Sequence, residues 1–155
     1  MKTDDGKIEV KDDEVKMKSE DGETEIEVDE EELNIKSKDG DINLSGGEKA
    51  ELPENYPEDI VPIFDGAKIV TSMNSNNDEG ISYMITLGSN TSYEDIHKFY
   101  KEKMEKNNNY LNMEIEGGYV ISGEKDNYTY SIGINDATEE EYESIITITI
   151  GKEAN

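Results

Sequence analysis

The sequence predicts an α+β protein: a C-terminal ββαβββ antiparallel sheet with one helix on one face, preceded by an N-terminal all-β meander of short strands. Three observations carry this expectation. Apolar and polar residues alternate in short runs on both sides of a proline-containing middle, the period-2 signature of strands with one dry face. Asp-Gly pairs at 5–6, 21–22 and 39–40 stand between early runs, and Asp-Gly favours tight hairpins because Gly accepts positive φ. Helical spacing appears in a single stretch, after Thr91.

The meander occupies residues 1–50, which hold 18 acidic and 8 basic residues and no aromatic one. Alternating runs follow the Asp-Gly pairs (Ile8/Val10, Ile26/Val28, Ile42/Leu44), with Val15/Met17 and Leu33/Ile35 between them. Five short strands are expected, aliphatic on one face and covered in Lys and Glu on the other. Such a ribbon has too few aliphatics to stand alone, so it must dock, dimerise or stay loose. Residues 51–65 carry all three prolines, five acids and no base, and read as a connector. Its apolar members, Leu52, Tyr56, Ile60, Val61, Ile63 and Phe64, suit a strap packed on the next module.

The ββαβββ module spans 66–155. Residues 67–73 and 81–87 read as its first two strands, joined by a polar turn. Thr91 with Glu94 forms a capping box for the helix, whose Ile96, Phe99, Tyr100 and Met104 share one side. Lys98, Lys101, Lys103 and Lys106 crowd its last half, where they complement the helix dipole. Strands at about 110–122, with a bend at Gly117-Gly118, then 127–134 and 144–150 complete the order. Alternation sends Ile81, Tyr83, Ile85, Leu87, Leu111, Met113, Ile115, Tyr128, Tyr130, Ile132, Ile134, Ile146, Ile148 and Ile150 to the core. The reverse face carries Ser82, Thr86, Thr129, Ser131, Thr147 and Thr149, the polar side an antiparallel sheet shows to water or to a partner.

Composition narrows the chemistry. The chain has 155 residues, 39 acids against 15 Lys, no Arg and a net charge of −24, a field that repels nucleic acid. Only 32% of it is hydrophobic, so any core is thin. Without Cys there is no disulfide framework, thiolate nucleophile or Cys-based zinc site. The first residues show no apolar signal core, so an exported form is expected to have lost its signal. No run of about 18 apolar residues spans a membrane.

Candidate sites are few. His97, the sole histidine, lacks a nucleophile or orienting acid in a recognisable pattern and reads as a boundary residue. Asp39-x-Asp41-x-Asn43 starts like an EF-hand loop, but Leu44 replaces the sixth-position Gly and Ala50 the twelfth-position Glu. Asn74, Asn76 and Asp78 fit less well, and the runs Asp12-Asp13-Glu14, Asp29–Glu32 and Glu139-Glu140-Glu141 read as solvated turns. No cofactor is expected. Tyr110 and Tyr119 are the tyrosines best placed to join the Ser/Thr face as a binding surface.

From Leu52 the chain resembles a group of secreted proteins and lipoproteins of low-GC Gram-positive bacteria, through Leu52-Pro53-x-x-Tyr56-Pro57-x-Asp59, Pro62 and Gly66-Ala67-Lys68. A strand pair follows, then a helix with an Ile96-x-x-Phe99-Tyr100-Lys101 core; the likeness covers about 51–151. It implies an extracellular or cell-surface location through a lipid anchor, and it carries over no catalytic residue. The expected function is a non-enzymatic envelope module binding a protein or glycan, with no nucleic-acid partner. The alternatives are a carboxylate-dependent enzyme acting on envelope polymer and an inhibitor or regulatory partner of an envelope protein.

Overall fold

Turn chemistry decides where the chain reverses. The computed structural model describes residues 2–3, 6–11, 14–19, 22–137 and 141–155. Asp5, Asp12, Asp13, Asp21, Glu139 and Glu140, which carry two of the Asp-Gly signals and parts of two acidic runs, lie outside them. Strands β1 (Lys2–Thr3), β2 (Gly6–Lys11), β3 (Glu14–Ser19), β4 (Thr24–Val28), β5 (Glu32–Ser37) and β6 (Gly40–Gly46) run up and down. After residues 47–67 come β7 (Lys68–Asn77), β8 (Gly80–Ser89) and the helix α1 (Tyr93–Met104). The chain ends with β9 (Asn108–Ile115), β10 (Gly118–Lys125), β11 (Tyr128–Asp136) and β12 (Ser144–Glu153). Gly40, Gly80 and Gly117 take positive φ at two-residue turns, and Asp126-Asn127 does the same with φ of 51° and 67°.

All twelve strands form one antiparallel sheet in the order β1-β2-β3-β4-β5-β6-β7-β8-β12-β11-β10-β9. This corrects the expected fold class. The meander is not a separate preface to a ββαβββ unit, because β6 pairs with β7 from Gly40↔Asn77 to Gly46↔Thr71 and continues the same sheet. Four strands follow the helix, since the stretch expected as one strand bent at Gly117-Gly118 makes a full turn at Glu116-Gly117 into the β9–β10 hairpin. The described residues are therefore nearly all sheet, with one short α-helix.

The core lies on one side of the C-terminal half. Ile96, Tyr100 and Met104 of α1 meet buried Leu87, Ile121, Ile132, Ile134, Ile146 and Ile148. Ser92, not Thr91, caps the helix: its hydroxyl accepts the Asp95 N–H, so the capping pattern starts one residue later than expected. The Ser144 hydroxyl donates to the Thr91 carbonyl at 2.7 Å and ties the helix entrance to β12.

Residues 51–65 cross the same side of the sheet, with Tyr56, Ile60 and Val61 buried. Phenols pin this strap. Tyr56 donates to the Val61 carbonyl at 2.9 Å, Tyr83 to the Asn55 carbonyl at 2.9 Å, and Tyr100 to the Pro62 carbonyl at 3.0 Å. Edge-to-face rings, Tyr56 on Tyr83 and Phe64 on Phe99, complete the contact.

Candidate functional site

In an antiparallel sheet directly opposed residues share a face, so the register assigns every side chain to a side. Two faces result: one covered by α1 and the strap, and a reverse face opposite them. One row of partners runs along the reverse face from edge to edge: Val10, Val15, Val28, Leu33, Leu44, Met73, Met84, Thr149, Ser131, Ser122, Leu111. A second, two residues along each strand, begins Ile8, Met17, Ile26, Ile35, Ile42 and turns polar at Ser75, Ser82 and Thr129. Among the described residues, the nine exposed large hydrophobics, Val10, Met17, Val28, Ile42, Leu44, Met84, Leu111, Met113 and Ile115, all fall on this face.

The face has three zones. Aliphatic side chains fill β2 to β7. A hydroxyl belt follows on β8, β12 and β11, where Thr86 opposes Thr147, and Thr149 opposes Ser131. Leu111, Met113 and Ile115 then line the β9 edge. Their place corrects the expected core list: the two-residue turn pairs Ile115 with Gly118 and Met113 with Val120, which puts them opposite Ile121 and away from α1. Tyr142, from the loop before β12, folds over Gly88, where any side chain would strike its ring.

Six of the eight candidate residues, Ser82, Thr86, Thr129, Ser131, Thr147 and Thr149, are thus brought together on the reverse face, and two are not. Tyr119 stands on the covered side, stacked on His97 with ring centroids 3.6 Å apart and 7° between planes. Asn112 Oδ1 meets His97 Nε2 at 2.9 Å. Tyr110 packs against the core with its hydroxyl buried and, among the described residues, unpartnered, and burial pushes its phenol above the ordinary range.

The covered side of the N-terminal strands is charged. Lys16 bridges Glu14 at 3.1 Å and Glu27 at 3.3 Å, and Lys7 pairs with Glu9. Hydrogen bonding from Lys7 holds the Glu9 carboxyl below its usual range, and both glutamates raise Lys16. Asp41 and Asn43 lie in extended β6 beside Asn76 and Asn74, not in a cation-binding loop. Among the described residues, no group of three or more His, Cys, Asp or Glu is arranged to hold a metal. Two open grooves occur: one of about 780 Å³ at the strand ends near Gly80, Tyr128 and Lys152, and one of about 470 Å³ between the strap and Asn34, Asn43, Asn74 and Tyr83.

A family model described as START domain-like matches residues 69–142, from β7 through the loop after β11. That similarity suggests a ligand-binding module. No curated protein and no solved structure matches the chain. What sequence reasoning missed is the continuity of the reverse face. Its signal was present in the hydrophobic alternation on both sides of the strap, but only β6–β7 pairing puts the two halves in register.

Proposed function

We propose that this protein is a non-enzymatic binding module of the cell envelope, the soluble part of a lipoprotein, that captures a protein or glycan on the hydroxyl belt of its reverse sheet face. One observation carries the reading: six Ser and Thr side chains on three adjacent strands share a face with exposed apolar residues, opposite the helix. Hydroxyls that both donate and accept give orientation, while Met84 and the β9 edge offer apolar contact. Such mixed exposed patches mark interaction surfaces. The likeness of residues 51–151 to Gram-positive secreted proteins supports the surface location, and the START domain-like similarity supports ligand binding.

The test uses a photo-crosslinking residue at Thr147, on the belt, and at Glu102, exposed on α1. In cells that make the protein, light should give a discrete adduct with another molecule from position 147 and none from 102. Replacing Thr129 and Thr149 by Lys should remove the adduct while the circular dichroism spectrum stays unchanged. No adduct from 147, or one that survives both lysines, would overturn the assignment.

A further inference from the structure

The aliphatic zone poses a separate question. From Ile8 to Met73 the reverse face of β2–β7 carries no carboxylate, although the chain has 39 Asp and Glu. Every acid on these strands, among them Glu9, Glu27 and Asp41, projects from the opposite side. Exposed Val10, Met17, Val28, Ile42 and Leu44 remain uncovered.

We propose that this zone is a self-association surface on which two copies of the chain stack face to face as an isologous dimer. Three features select a second copy over other occupants. First, the surface is a sheet face: Val10, Val15, Val28 and Leu33, and Ile8, Met17, Ile26 and Ile35, stand in register across four strands, an arrangement suited to another sheet. Sheets stack about 10 Å apart through interdigitating apolar faces, at about −30°. Second, the area suffices: six strands about 4.8 Å apart and six residues long at about 3.3 Å cover roughly 570 Å² in plan. Side-chain relief brings that above the ~600 Å² per partner at which specific interfaces begin. Third, the electrostatics fit: stacking buries no carboxylate of these strands, whose acids point away from the shared face in both copies. An anionic membrane is disfavoured by the net charge of −24.

This inference goes beyond the ligand reading, because it uses a different zone of the face and stands without it. The chain has no cysteine, so single cysteines report contacts directly. Sedimentation equilibrium of the full chain should show a monomer–dimer equilibrium that tightens between roughly 50 and 500 mM salt, as the repulsion between two acidic copies is screened. Leu44→Lys should raise the dissociation constant by about tenfold or more, since it desolvates an unpaired charge. Mild oxidation should link Leu44→Cys across the dimer, and leave Lys36→Cys, exposed on the other side, unlinked. The cysteine pair keeps the test decisive if the lysine variant fails to fold. A monomer at every concentration and salt, or a dimer that links at 36 and not at 44, overturns the proposal. The Leu44→Lys variant should keep the position-147 adduct, and the Thr129→Lys/Thr149→Lys variant should keep the dimer, so either idea can fail alone.

Discussion

Tyr56 and Tyr100 fasten the strap with phenols that are both buried and bonded to carbonyls. Tyr56→Phe leaves the Val61 carbonyl without its donor, and such a loss costs about 1 kcal/mol. Burial also pushes both phenols above the ordinary tyrosine range. An unfolded chain gives up these protons near pH 10, while the folded one holds them. Their contribution is therefore complete below about pH 10 and is lost as pH rises above it. Urea unfolding followed by circular dichroism should show stability falling above that point, and the Tyr56→Phe/Tyr100→Phe chain should be less stable at pH 7 but decline less steeply. Equal alkaline slopes would contradict the account. Tyr110 has the opposite sign. Its hydroxyl is buried with no partner, so Tyr110→Phe removes a desolvated group and should stabilise the fold by about 1 kcal/mol. A lower urea midpoint for that variant would mean the hydroxyl is satisfied.

Among the elements, β9 shows what alternation does and does not carry. Leu111, Met113 and Ile115 alternate as cleanly as Ile121, Ile132 or Ile148, so the sequence places them on one face without saying which. The turn at Glu116-Gly117 settles it, because a two-residue loop locks Ile115 to Gly118. A one-residue slip would have reversed the result. Met113→Lys should accordingly shift the thermal midpoint little, as Met113 is 45% exposed, whereas Ile121→Ala, at 0%, should cost about 2–4 kcal/mol. Comparable losses from the two variants would restore β9 to the core. The helix was legible in more detail. Its apolar spacing and basic end are local properties, and the start moved one residue because Ser92 and Asp95 compete with Thr91 and Glu94 for the same capping geometry.

At the scale of the molecule, the join between β6 and β7 was the least legible feature. Residues 47–67 separate the two strands, and local periodicity holds no record of a pairing across such an excursion. The prolines there read as a boundary, while the chain makes a detour over the covered face and returns to its own sheet. The resulting sheet is continuous in hydrogen bonding but uneven in packing, since every buried hydrophobic residue among those described lies at or beyond Tyr56. Strands β2–β5 therefore rest on cross-strand pairs, each worth about 1 kcal/mol or less, and on surface ion pairs that solvent screens. β8, β11 and β12 are held by isoleucines with no exposure. Regions with few buried apolar contacts open at lower free energy than the global transition. Native-state hydrogen exchange at low protein concentration should show amides of β3 and β4 exchanging through a partial opening that spares Ile132 and Ile148. Raising the concentration should slow β3 and β4 selectively, because a stacked copy covers those strands and leaves the helix side unchanged. Uniform protection at every concentration would show that the ribbon and the core unfold as one unit.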